Sequence, residues 1–311
     1  INSLFTDCSN FNGSVKYWDL SNVLSLEKMF SSCQYFNNGH EALPDGSAAL
    51  QTMTWYTSIK LTTINSMFSG CKNFNQYLWT TTPNTWNFAG LTNIEYLFNG
   101  CELFNGSVNG WNLPKISSLE NVFSSCQYFN NGHEALPAGS AATQSMVWYT
   151  SDKLTNIDNL FNGCKNFNQH MDGSQNDFLR DPTRLFQWNF TGVRTIDNLF
   201  NGCELFNGSV NYWQLSSISS LENVFSSCQY FNNGQPALPD GSAATQPMVW
   251  YTTDALTKVD TLFNGCKNFN QHMDAPQSRT TNLSEWNFSK VYEINSLFTD
   301  CSNFNGSVKY W

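Results

Sequence analysis

Leu97-Phe98-Asn99-Gly100-Cys101-Glu102-Leu103-Phe104-Asn105 is the clearest of ten copies of one nine-residue pattern: an aliphatic residue or Met, then Phe-x-x-Cys-x-x-Phe-Asn. All ten cysteines sit in it, namely Cys8, Cys33, Cys71, Cys101, Cys126, Cys164, Cys203, Cys228, Cys266 and Cys301. A unit recurring at this scale is one rung of a stack. It cannot bury its apolar face alone, so neighbours above and below must cover it.

Tryptophan is the second fixed mark, at Trp18, Trp55, Trp86, Trp111, Trp148, Trp188, Trp213, Trp250, Trp286 and Trp311. Each of the first nine precedes the next Cys by 15 or 16 residues, whereas the leg from Cys to the next Trp runs from 10 to 24. The first leg is therefore rigid framework. Insertions fall in the second and are expected to project from one edge.

Within the rigid leg, Leu91, Ile94, Leu97/Phe98 and Cys101 recur at steps of three to four. That spacing predicts a short helix. Thr92 with Glu95, Ser117 with Glu120, Thr155 with Asp158 and Ser219 with Glu222 have capping-box spacing at its start. After Phe-Asn comes a turn, most often Asn-Gly-Ser, then a short extended piece such as residues 15–18. The fold expected is a repeat solenoid, leucine-rich-repeat-like, with a short parallel strand plus a short helix per rung. Its ten or so rungs would make one continuous domain, residues 1–311, roughly 50 Å long at strand spacing.

The rungs group in threes. Cys-to-Cys steps run 25, 38, 30, then 25, 38, 39, then 25, 38, 35. This gives sub-blocks 1–93, 94–195 and 196–293, with residues 294–311 repeating 1–18 without a difference. The 38-residue rungs share an insert, at residues 40–47, 133–140 and 235–242. The 293-residue period leads to the expectation that the material continues past each end, by self-stacking head to tail. An open head-to-tail contact makes a fibre.

Composition excludes several classes. Charged residues are 13% and aromatics 15%, the reverse of a disordered chain. A net charge of -9 argues against nucleic acid as a partner. No apolar run is long enough for a membrane helix, so membrane insertion is not expected. No catalytic constellation, cofactor motif or metal-ligand spacing recurs, which points away from an enzyme.

The cysteines admit three readings: buried thiols packing as small hydrophobes, disulfides between adjacent rungs, or a metal ladder. The first suits the even register best. Asn after Phe suits axial Asn-on-Asn bonding, with a glycan or ligand site as the alternative. Sequons place candidate glycosylation at Asn12, Asn105, Asn189, Asn207, Asn282, Asn287 and Asn305. The histidines His40, His133, His170 and His272 read as solvated insert residues.

The run from Met67 to Gln76, with its Phe-x-x-Cys-x-x-Phe-Asn-Gln, and the matching run from Leu160 to Gln169 resemble the BspA-like leucine-rich repeats, in the form found in mycoplasma-type surface lipoproteins. The resemblance spans all ten rungs. It implies a solenoid at a cell or particle surface, with roles in adhesion or surface coating. The 293-residue period and the low charge make a structural polymer, an extracellular filament or surface adhesin, the leading expectation. The alternative is a ligand-binding module whose inserts recognise a host surface protein or glycan, with Tyr77, Trp79, Tyr251 and the insert at 173–187 as its contacts.

Overall fold

A computed structural model describes residues 1–78, 86–171, 188, 190–273, 286–309 and 311. Ten rungs stack along one axis, and the core is a continuous column. In the second rung Leu26, Met29, Phe30, Cys33 and Phe36 are all fully buried, and the same positions are buried in the third to ninth rungs.

Regular structure is sparse. The strands are β1 (Gln51–Thr52), β2 (Gln76–Tyr77), β3 (Trp111–Leu113), β4 (Trp148–Thr150), β5 (Trp213–Leu215) and β6 (Trp250–Thr252). They form three parallel pairs, β1-β2, β3-β4 and β5-β6. Trp111 sits opposite Trp148, and Trp213 opposite Trp250, so the indoles of adjacent rungs are in register. Single parallel bridges carry the pairing further, from Ser118 through Asn156, Thr195, Ser220 and Lys258 to Glu293.

The expected helix is absent: no helix occurs among the described residues. The Trp-to-Cys leg is a chain of tight turns. Met29, Ser31 and Cys33 donate their N–H to the carbonyls of Leu26, Lys28 and Phe30 in the same rung. The alternate residues Lys28, Phe30 and Ser32 donate to Asn65, Met67 and Ser69 of the next rung at 2.7–2.9 Å. Left-handed residues recur five and one positions before the cysteine, as at Lys28 (φ 55°) and Ser32 (φ 63°), or Tyr96 (φ 58°) and Gly100 (φ 72°). A left-handed residue every four positions cannot lie in a right-handed helix. It suits the third position of a turn. Successive turns also bring every third residue inward, which is why the apolar spacing matches that of a helix.

The capping boxes dissolve for the same reason. Thr92 and Thr155 donate their hydroxyls to Thr62 and Ser117 carbonyls of the preceding rung. Their bonding is between rungs rather than along one.

Aromatic columns run the length of the stack. Within a rung the two Phe rings lie face to face, as Phe30 and Phe36 do at 4.0 Å. Between rungs Phe30 meets Phe68 at 5.7 Å, and Phe68 meets Phe98 at 5.8 Å. Such pairs contribute about 0.5–1.5 kcal/mol each beyond burial. The Trp column is punctuated in threes. Trp18, Trp55 and Trp86 stack, then Phe88 steps between Trp86 and Trp111; Phe190 does the same before Trp213.

Candidate functional site

The chemistry that repeats is a set of polar ladders around the aromatic core. Cysteine supplies the first. All ten are free thiols. From Cys33 upward, each Sγ donates to the carbonyl of a Phe one rung below: Cys33 to Phe5, Cys71 to Phe30, Cys101 to Phe68, and so on to Cys301 and Phe263, at 2.9–3.0 Å. Phe30 oxygen accepts both this thiol and its own rung's Cys33 N–H, so both lone pairs are used. Burial pushes the Cys33 thiol up to about 11 and the Cys301 thiol to about 12, and those between them are raised as well. A neutral buried thiol is a poor nucleophile and a poor metal ligand. Among the described residues no group of three His, Cys, Asp or Glu is placed to hold a metal ion.

Asparagine supplies the second ladder. Each Asn of Phe-Asn accepts, on its side-chain oxygen, the backbone N–H of its counterpart one rung up. The chain of bonds is unbroken from Asn12 through Asn37, Asn75, Asn105, Asn130, Asn168, Asn207, Asn232 and Asn270 to Asn305, at 2.7–3.0 Å. Gln76, Gln169 and Gln271 add an amide bond back to the rung below.

The amide nitrogens of the same ladder face outward and hold the inserts. Asn12 donates to His40 oxygen, Asn37 to Glu41, Asn75 to Ser47 and Asn105 to Gly46. The 40–47 insert thus runs along the stack and is laced to successive rungs. It does not project from one edge as its variable leg suggested. Asp45 at its tip accepts a 2.8 Å bond from the Tyr128 hydroxyl, 83 residues away.

This lacing bears on the sequons. Asn105 and Asn207 are fully buried, and their amide nitrogens already donate to backbone. A glycan has no path to either in the folded rung. Asn12 and Asn287 are half-buried, and Asn305 is exposed. Asn189 and Asn282 lie outside the described residues, as do Trp79 and the 173–187 insert. Tyr77 and Tyr251 are half-buried.

His170 and His272 are not merely solvated. Their Nδ1 atoms accept the Ser209 and Ser307 backbone N–H groups at 3.0 and 3.1 Å. This requires Nδ1 to be unprotonated. Tyr77 holds the equivalent place in the first block.

A third stripe is acidic. Glu95, Glu120, Asp158, Asp197, Glu222 and Asp260 stand six residues before their cysteines on six consecutive rungs. Asp158 accepts from the Thr195 hydroxyl and the Asp197 N–H, both at 2.8 Å. Burial raises its carboxyl to about 6, with Asp197 and Glu120 adding repulsion and the Thr195 bond opposing. Lys258 neutralises the upper end through Glu222 at 2.6 Å, Glu293 at 3.6 Å and Asp260 at 3.8 Å.

Sequence reasoning located the Trp, Cys and Asn columns but missed the left-handed positions and the lacing. The first had a signal: Gly, Ser or Asp immediately before every Cys, and Asn four residues earlier in several rungs.

A family model described as "Mycoplasma protein of unknown function, DUF285" matches residues 1–43, 40–173, 134–235 and 175–311. That match names this family; it does not name the BspA-like repeats. No curated protein and no solved structure matches the chain.

Proposed function

The chain belongs to the DUF285 family of Mycoplasma proteins, and for it we propose a structural function: a protomer of a head-to-tail fibre or surface filament outside the cell. The observation that carries this reading is the Asn ladder. Nine successive rung contacts repeat one bond between Asn12 and Asn305, and residues 294–311 offer a following rung the same sequence that residues 1–18 offer the second. A stack whose last segment can seat the rung that its own first segment seats makes a heterologous contact, which grows by translation and does not close.

Two further observations support a mechanical role. The titratable groups in the interior, the cysteines, are neutral thiols committed to backbone carbonyls. The inserts, which would be the recognition loops of a binding module, spend their backbone carbonyls on the Asn ladder. The extracellular placement and an adhesive role follow the resemblance to surface lipoprotein repeats.

Electron microscopy of the purified chain across a concentration series tests this. Filaments are expected, with an axial layer line at roughly 4.8 Å. Short rods of fixed length at every concentration would refute it.

A further inference from the structure

The three inserts are built alike. Ser47, Ser140 and Ser242 donate their N–H to Pro44, Pro137 and Pro239 at 3.0–3.1 Å. Asn75, Asn168 and Asn270 donate their amides to the carbonyls of the same three serines at 2.9–3.0 Å. Gly46, Gly139 and Gly241 are left-handed, with φ of 77°, 81° and 76°.

Their surroundings differ. A Cβ on Gly46 would lie 3.6 Å from Asn166 and 3.9 Å from Tyr128, and Asp45 beside it takes the Tyr128 hydroxyl. A Cβ on Gly139 would meet Tyr230 and Asn268 at 3.6 and 3.8 Å, but Ala138 stands where Asp45 does and makes no such bond. Gly241 has nothing within 4 Å among the described residues, and its neighbour is again an aspartate, exposed Asp240. The third insert repeats the Asp-Gly of the first, and among the described residues nothing stands where Tyr128 and Asn166 stand for the first.

The repeat identifies the residues for that place. Tyr128 and Tyr230 stand two residues after the short-step cysteines Cys126 and Cys228, and Asn166 and Asn268 two after the next cysteines. One period on from Asp240, the residues holding those places are Tyr35, after Cys33, and Asn73, after Cys71. Tyr35 is 54% exposed. Its rung rests on residues 1–18, through Cys33 Sγ to Phe5 oxygen, Asn37 N–H to Asn12 and Tyr35 N–H to Ser9 oxygen. Residues 294–311 carry the same atoms on Phe298, Asn305 and Ser302.

We infer that a second copy of this 293-residue period seats in one register, its rung at Cys33 packing on residues 294–311 of the first, with the Tyr35 hydroxyl donating to Asp240 and Asn73 beside Gly241. The inference rests on the head-to-tail reading and specifies its joint. Residues 294–311 replace the second copy's own residues 1–18 there, an exchange of identical segments. Because the incoming atoms are the same as the outgoing ones, the exchange is energetically neutral at that face. The Tyr35–Asp240 latch is the contact that the joined state adds, and it is what distinguishes this register from others.

The test uses the full chain with a benzophenone amino acid at position 35, mixing unlabelled and 15N-labelled copies before irradiation. Tyr35 and Asp240 belong to opposite ends of one chain, so a mixed-isotope cross-link between them is intermolecular. The expected product joins position 35 to the peptide bearing residues 239–242. The same probe at position 128 should link to residues 44–47 within one chain, which controls for probe reach. Filaments that give the control link but join position 35 elsewhere would overturn the register and leave the fibre reading standing. Chains that stay monomeric throughout would overturn both. As an independent readout, Tyr35→Phe and Asp240→Asn should each raise the critical concentration for assembly about 3- to 10-fold, with the double variant no worse than either. Additive effects would mean that the two side chains do not meet.

Discussion

Removing one rung of the Asn ladder should loosen the stack where the ladder is cut. Asn130 is the informative position, because it is 1% exposed and makes bonds in both directions. Its Oδ1 accepts the Asn168 N–H and Gln169 Nε2, both at 2.9 Å, and its Nδ2 donates to Glu134 oxygen at 2.9 Å. Asn130→Ala removes all three. Gln169 keeps a 3.3 Å bond to the Asn130 backbone oxygen, and Glu134 is exposed enough to turn to water. Asn168 N–H keeps nothing: it stays buried without an acceptor, at a cost of about 1–3 kcal/mol. Loss of the insert bond adds about 1 kcal/mol. The expected destabilisation is about 2–4 kcal/mol. In a solenoid it weakens one nearest-neighbour interface, so the rungs on either side should uncouple. Native-state hydrogen exchange reads this directly. The Asn168 amide should exchange about 30- to 900-fold faster, at about 1.4 kcal/mol per decade. Asn112→Ala, at an exposed position of β3, should stay within about 0.5 kcal/mol of the parent. An unchanged Asn168 exchange rate in the Asn130 variant would refute the claim that the ladder joins the rungs.

Three further outcomes follow from the same geometry. At pH 8 a thiol reagent should modify exposed Cys8 first and half-buried Cys301 slowly, with the remaining eight reacting only on denaturation; rapid reaction of all ten would contradict the buried, carbonyl-bonded column. Folding raises these thiols above their ordinary value of 9.0, so the folded state holds their protons more tightly. Their contribution is intact below pH 9 and is lost as pH rises toward the folded values, by about 1.4 kcal/mol per pH unit for each buried thiol, which denaturant midpoints across pH 8–11 should show. For Asp158, raised from 3.8 to about 6, ionisation opposes folding once pH passes that window; Asp158→Asn should therefore stabilise by about 1 kcal/mol at pH 7, discounted for its partial exposure, and by nothing below pH 4. A Cβ at Gly208 would overlap the Gln169 carbonyl of the rung below, so Gly208→Ala should cost several kcal/mol in thermal or chemical unfolding; Gly110→Ala, left-handed at φ 79° with open space around it, should cost only about 1 kcal/mol.

Much of this architecture is legible along the chain, because stacking turns sequence period into spatial column. Any residue type that keeps station in every rung must meet its own kind above and below. Trp55 over Trp18, Phe68 over Phe30 and Asn75 over Asn37 are consequences of register alone, and the grouping in threes reappears as the Phe88 and Phe190 steps in the Trp column. Ambiguity entered where one spacing serves two backbones. Apolar residues three apart suit a helix as well as consecutive turns, and only the left-handed Lys28 and Ser32, with bonds leaving the rung for Asn65 and Ser69, decide between them.

The amino-acid sequence by itself determined the rung, its count, its grouping in threes and the identity of residues 1–18 with 294–311. Those follow from periodicity, which needs no coordinates. Tertiary structure alone decided the path of the inserts. Asp45 reaches Tyr128 across 83 residues, and Gly46 packs beside Asn166 and Tyr128 of rungs far along the chain. No local pattern encodes such pairings, since they depend on how far a loop travels along the stack before its carbonyls find the next free amides.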